Sequence, residues 1–87
     1  MANYKILFSS TAEKSLKKIP KRDLVRILDV IQALSSNPYP DGCRKLSGED
    51  RAFRVRYGQY RIIYEIENKK LIVLVLKIGH RKDIYKK

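Results

Sequence analysis

The strongest constraint in this chain is an alternation of apolar and polar residues centred on one glycine. Phe53, Val55 and Tyr57 alternate with Arg54 and Arg56. After Gly58-Gln59 the pattern resumes with Tyr60, Ile62, Tyr64 and Ile66. A period of two marks strands with one buried face. A two-residue connection with glycine first is the preference of a type II′ hairpin turn. Such a turn sets the register. Tyr57 faces Tyr60, Arg56 faces Arg61, Val55 faces Ile62 and Arg54 faces Ile63. Phe53, Val55, Tyr57, Tyr60, Ile62 and Tyr64 then share a core face, and Arg54, Arg56 and Arg61 share the other.

The flanking segments supply the elements that cover such a sheet. The 87 residues suit a single domain, 1–87, with no internal repeat. Tyr4 to Phe8 reads as a short strand. Ser10-Thr11-Ala12-Glu13 has the form of a capping box, with the Ser10 hydroxyl on an early backbone N–H. Ala12, Leu16 and Ile19 follow at helical spacing, and Pro20 stops that helix. Leu24, Ile27, Leu28, Ile31 and Leu34 make the apolar stripe of a second helix. Asn37-Pro38-Tyr39-Pro40-Asp41-Gly42 ends it, and a loop runs to Asp50. A second turn falls near Asn68-Lys69. Leu71 to Leu76 reads as a strand covered on both faces, and Ile78 to Lys87 as a short basic tail. The expected fold is α+β, in the order β-α-α-β-β-β. An antiparallel sheet carries an N-terminal helical hairpin on one face.

Charge narrows the function. Lys and Arg total 20 against 9 Asp and Glu, a net charge of +11. Self-repulsion of that size calls for an anionic partner. The one cysteine, Cys43, cannot form an internal disulfide, which suits a reducing cytoplasm. Cys43 and the lone His80 cannot make a zinc site. No apolar run approaches the roughly 20 residues of a membrane span. The expectation is a cytoplasmic domain with no membrane partner, no metal and no cofactor.

Two groups of residues carry candidate chemistry. Arg54, Arg56 and Arg61 lie on one strand face, where like charges facing each other are destabilising. The cluster reads either as a solvated face, with Glu65 neutralising part of it, or as a phosphate site built from planar five-donor forks. The second group is Gly79-His80-Arg81-Lys82-Asp83-Ile84-Tyr85. There His80 is the one side-chain type in the group with an unperturbed pKa near neutrality, and Tyr85 can stack on a base or move a proton. A surface histidine and a packing tyrosine are the plain alternatives. Lys14, Lys17, Lys18, Lys21 and Arg22 fit a solvated helical face that attracts a polyanion from a distance. The chain has no glycine-rich phosphate loop, no paired-cysteine motif and no serine nucleophile motif. Its acidic residues are scattered. A phosphodiester-cleaving enzyme of this kind works without metal and needs an internal nucleophile, which RNA supplies in its 2′-OH.

The chain resembles the RelE toxins of the RelE/ParE superfamily. The resemblance rests on Phe53-Arg54-Val55-Arg56, Gly58-Gln59-Tyr60-Arg61-Ile62-Ile63-Tyr64, and Gly79-His80-Arg81 through Tyr85. The N-terminal strand, the helix start at Ser10 to Ala12, Asn37-Pro38 and Lys45-Leu46-Ser47-Gly48 extend it over nearly the whole chain. It implies the toxin of a type II toxin–antitoxin pair, an endoribonuclease that enters the ribosomal decoding site and cuts mRNA there. Its implied partners are a cognate antitoxin, the ribosome, mRNA and ribosomal RNA. The family's functional positions fall on Arg54, Arg56, Arg61, Arg81 and Tyr85, and His80 stands where histidine recurs. Positions 54 and 56 are commonly lysine in the best-known members. Arginine keeps the charge there and cannot act as a base. Lys45, Arg51, Lys82 and Lys86 are the flanking RNA-binding cations. In the implied reaction the 2′-OH attacks phosphorus while Arg54, Arg56 and Arg61 hold the phosphate. Arg81 assists the leaving 5′-oxygen. Tyr85 takes the proton, its hydroxyl made more acidic by the cations, with His80 as the rival acid–base group. Two alternatives share this scaffold: a ParE-type inhibitor of DNA gyrase, and a non-catalytic RNA-binding module. If the second turn also has two residues, Ile63, Leu74 and Leu76 lie on the arginine face as a surface an antitoxin could cover.

Overall fold

The hairpin forms as its turn residues dictate. In the computed structural model, which describes residues 3–46 and 51–80, strand β3 (Ala52–Tyr57) meets β4 (Tyr60–Glu67) across Gly58-Gln59. Gly58 has φ +56°, and Leu71 is the one non-glycine with positive φ among the described residues. Positive φ at the first central position alone is the type II′ geometry. The register is Tyr57 opposite Tyr60, Arg56 opposite Arg61, Val55 opposite Ile62 and Arg54 opposite Ile63, as the turn requires.

Around this hairpin stand β1 (Lys5–Phe8), α1 (Ser10–Leu16), α2 (Lys21–Ala33), β2 (Arg44–Lys45) and β5 (Ile72–His80). The sheet order is β1-β5-β4-β3-β2, with both helices on one face. The fold is α+β, as expected, with two refinements. β1 joins β5 in parallel, so the sheet is mixed and not wholly antiparallel. Arg44 and Lys45, expected in a loop, form a short edge strand opposite Arg54 and Phe53. No helix among the described residues is long and apolar enough to cross a membrane.

The helix boundaries follow local chemistry. The cap of α1 is Ser9, one residue before the predicted Ser10. Its Oγ accepts the Ala12 N–H at 3.0 Å and donates to the Leu76 carbonyl at 2.7 Å. One side chain therefore caps a helix and ties it to β5. α1 ends at Leu16, short of Pro20, because Pro20 sits immediately before α2 and its carbonyl accepts from Leu24 N at 2.8 Å. From α2, Ile27, Ile31 and Leu34 are buried, whereas Leu28 is 39% exposed at the margin of the stripe.

The core joins Ala12, Ile27, Ile31 and Leu34 to Val55, Ile62, Tyr64, Ile66, Val73, Val75 and Ile78. On β5 this buried set breaks its period of two. Ile63 pairs with Lys77 but Tyr64 pairs with Val75, so Leu76 is an extra, bulged residue. Beyond the bulge the facing residues exchange sides, and Ile78 rather than Lys77 enters the core. Ile78, Gly79 and His80 thus belong to β5 and not to a tail. At the other end, Glu67 pairs with Ile72 across four residues rather than two, and Leu71 adopts φ +54° in the turn.

Tyr64 is the largest fully buried side chain. Its hydroxyl donates to the Pro38 carbonyl at 2.8 Å, and its ring stacks on Phe53 at 6.1 Å between centroids. Burial first, then the neighbouring Cys43 thiol, pushes the Tyr64 hydroxyl well above the ordinary tyrosine value. Removing that hydroxyl leaves a buried carbonyl without its donor. Tyr64→Phe is expected to lower stability by about 1–3 kcal/mol in urea unfolding at pH 7. Native Tyr64 stays protonated where an unfolded tyrosine ionises, above pH ~10. Wild-type stability should therefore fall with pH above that value, and Tyr64→Phe should fall less steeply.

Candidate functional site

The hairpin register and the edge strand assemble one basic cavity. On the sheet face away from the helices, Arg54 and Arg56 of β3, Arg61 of β4 and Arg44 of β2 line a cavity of about 270 Å³ with Gly42. Arg56 sits opposite Arg61, and Arg44 opposite Arg54. Gly42 has φ +88°, a conformation that L side chains rarely adopt, so glycine suits this turn into β2. Gly79 lies across the ladder from Arg61 and presents no side chain there. Among the described residues the lining contains no carboxylate. Glu65, weighed as a neutralising group, lies farther along β4 opposite Ala52.

Arg61 shows what the cavity lacks. Its Nε and Nη1 are shielded from solvent and have no hydrogen-bond partner among the described residues. A buried guanidinium nitrogen without an acceptor costs on the order of 1–3 kcal/mol or more. An anion with several acceptor oxygens answers that deficit. A tetrahedral phosphate or sulfate group fits both the charge and the fork geometry.

The other sequence-derived candidates separate. His80 pairs with Tyr60, on the helix face of the sheet, with ring centroids 5.9 Å apart at 72°. The structure therefore sets His80 on the opposite side of the sheet from the arginines. Lys45 sits opposite Phe53, also off the arginine face. Arg51 is ion-paired to Glu67 at 2.6 Å, at the end of β4 remote from Arg61. Arg81, Lys82, Tyr85 and Lys86 lie outside the described residues. Arg44 is the residue that sequence reasoning missed. Its signal was its position in a segment read as loop, where no register could be assigned. Tyr60 is held from the other side by Asp23 of α2, to which its hydroxyl donates at 3.4 Å. Burial, then the Asp23 charge and hydrogen bond, raises its pKa. Among the described residues no group of three or more His, Cys, Asp or Glu comes together as a metal site.

Comparison with known proteins shows the family. The family model for the ParE toxin of the type II toxin–antitoxin system parDE matches residues 6–85. Toxin RelG of Mycobacterium tuberculosis is 34% identical over 88 residues, covering 97% of this chain and 98% of RelG. The chain belongs to the RelE-type toxins of type II toxin–antitoxin systems. The crystal structure of the M. tuberculosis RelBE2 toxin–antitoxin complex aligns with a TM-score of 0.83 and 32% identity, over 95% of this chain and 97% of that one. The archaeal RelE–RelB complex of Pyrococcus horikoshii aligns at 0.81 and 28%, over 93% and 98%. The family model carries the ParE name and the relatives carry the RelE name.

The unsatisfied cavity gives a direct expectation for the toxin. An anion bound there stabilises the fold by RT ln(1 + [L]/Kd), about 2.7 kcal/mol at a hundredfold excess over Kd. Phosphate or sulfate should raise the unfolding temperature more than chloride at equal ionic strength. Arg61→Leu should largely abolish that difference and unfold no earlier than wild type in anion-free buffer. An equal response in Arg61→Leu would place the anion elsewhere.

Proposed function

We propose that this toxin is a ribosome-dependent endoribonuclease that cleaves mRNA in the decoding A site and so stops translation. The observation that carries the proposal is a cavity lined by four arginines, in which the buried Arg61 Nε and Nη1 have no acceptor, and the lining no carboxylate, among the described residues. In the reaction the 2′-oxygen attacks phosphorus and the bond to the 5′-oxygen breaks. The products are a 2′,3′-cyclic phosphate and a 5′-hydroxyl end. The phosphorane carries more charge on its non-bridging oxygens than the ground state, and fixed guanidinium donors stabilise that increase. Arg61 and Arg54 hold the phosphate in this reading, with Arg56 and Arg44 extending the field along the strand. None of these can take the 2′-proton at neutral pH.

The base is assigned to Tyr85 and the stabilisation of the leaving oxygen to Arg81, both on the family resemblance. The placement of His80 beside Tyr60 on the helix face supports Tyr85 over His80 in that role. Lys82 and Lys86 would add attraction to RNA. The relatives named RelBE2 and archaeal RelE–RelB are complexes with an antitoxin. We assign this toxin a cognate antitoxin as well, acidic where it meets the arginine face. A decoding-site target places the toxin in the cytoplasm.

The name of the matching family model keeps gyrase inhibition as the second reading. Inhibited supercoiling by purified toxin, with ribosome-bound mRNA left intact, would establish it in place of cleavage. Salt-sensitive RNA binding without new mRNA ends would instead show a binding module. Mapping mRNA ends on translating ribosomes decides among the three. Arg61→Ala is expected to slow cleavage by ~10²-fold or more, the order seen for loss of one preorganised donor. Tyr85→Phe should lower it as severely, and His80→Ala should stay near wild type. Full cleavage by Tyr85→Phe would remove tyrosine from the base role.

A further inference from the structure

A second cavity lies behind the arginine site, on the helix face. It has a volume of about 460 Å³ and opens between the end of α1 and the paired ends of β4 and β5. Its aromatic wall is Tyr60 with His80, in edge contact at 5.9 Å. Ile19 and Ile78 supply apolar surface, and Ser15 and the exposed Lys18 stand at the α1 side. The wall is held in place independently of any ligand. The Tyr60 hydroxyl donates to Asp23, and its backbone is locked in the hairpin ladder.

The lining selects a class of ligand. Cavities of about 300–1,000 Å³ with apolar and aromatic walls and a few polar groups are typical of small-molecule sites. Tyrosine and histidine rings are stacking platforms for planar bases. Among the described residues no carboxylate lines the cleft, and Lys18 and Lys77 supply cations, Lys18 at the α1 side. A planar aromatic ring bearing an anionic group satisfies all three features together. The described lining of the arginine cavity, in contrast, is four arginines and a glycine, with no aromatic side chain.

We propose that this helix-face cleft binds a single unpaired nucleotide of RNA, with the base against Tyr60 and His80 and the phosphate at Lys18. It is a binding subsite and performs no chemistry. The proposal rests on the RNA reading above for the class of ligand only, and on no cleavage step. Tyr60 and Arg61 are neighbours on one strand and point to opposite faces. A strand that engages both cavities must therefore pass around the end of the β4–β5 ladder. The cleft would then anchor RNA beyond the phosphate that the arginine cavity holds in that reading.

Titration of the full chain with adenosine 5′-monophosphate, followed by NMR, tests this without reference to cleavage. Saturable shifts of the Tyr60 and His80 rings and the Ile19 and Ile78 methyls are expected, with Kd of about 1 mM or tighter. Lys18→Ala, at an exposed position, should weaken binding several-fold and leave the folded spectrum intact. Arg61→Ala should leave the cleft shifts unchanged. Adenosine should bind more weakly at the same residues, and inorganic phosphate should not reproduce the ring shifts. Absence of saturation, shifts confined to Arg44, Arg54, Arg56 and Arg61, or equal effects from phosphate alone would each overturn the proposal. mRNA cleavage plays no part in the readout, so an inactive toxin that still binds the nucleotide would sink the enzymatic reading and not this one.

Discussion

The bulge at Leu76 decides what each face of the sheet can do. Up to Val75 the inward residues of β5 are Val73 and Val75. An unbroken alternation would send Lys77 and Gly79 into the core and His80 to the arginine face. The extra residue reverses that phase. Ile78 fills the core, Gly79 comes opposite Arg61, and His80 comes beside Tyr60. The carbonyl of the bulged residue is also used, since it accepts the Ser9 hydroxyl that caps α1. A single inserted residue thereby keeps a lysine out of the core, clears space at Arg61 and builds the aromatic wall behind it.

The arginine face is an arrangement a stability optimum would not select. Arg56 against Arg61 and Arg44 against Arg54 set like charges directly across the ladder. The buried nitrogens of Arg61 add a desolvation cost with no compensating acceptor among the described residues. The fold tolerates this because the cost lies on the face opposite its core. There Tyr64, Ile62, Ile27 and Ile31 are almost completely buried and the helices are tied down by Ser9 and by the Tyr64–Pro38 hydrogen bond. Local frustration held by a rigid scaffold is what a preorganised anion site requires.

The hairpin was legible in the sequence because turn chemistry and period-two alternation specify the same register. That register alone collects the three arginines on one face. β5 was less legible. Its run from Ile72 to Leu76 is apolar at every position, so periodicity carries no phase and cannot show a bulge. The second turn was placed at Asn68-Lys69, but its four-residue length, closed by Leu71 at positive φ, was not legible for a related reason. Leucine is a poor marker of left-handed backbone, and only Asn68 hinted at a turn. Arg44 was missed because two residues are too few to show alternation, while Lys45, one position away, lands on the other face. The parallel docking of β1 depends on a contact between the two ends of the chain, which no local pattern encodes.

The net charge of +11 divides once the faces are known. Charge on Arg44, Arg54, Arg56 and Arg61 is concentrated at one cavity. Arg44 and Arg56 are exposed, whereas the Arg61 Nε and Nη1 are shielded from solvent, which strengthens their pull on an anion. Charge on Lys14, Lys17, Lys18 and Lys21 is exposed, screened by salt and unspecific by itself. Of these, Lys18 alone adjoins an aromatic and apolar cleft. The sheet between the two cavities is one layer deep, and the adjacent residues Tyr60 and Arg61 supply one wall to each. On the proposed reading, a polyanion long enough to turn the end of the β4–β5 ladder would meet charge on one side and a stacking surface on the other. Phosphate placement and tolerance of base identity would then be properties of different faces of the same strand.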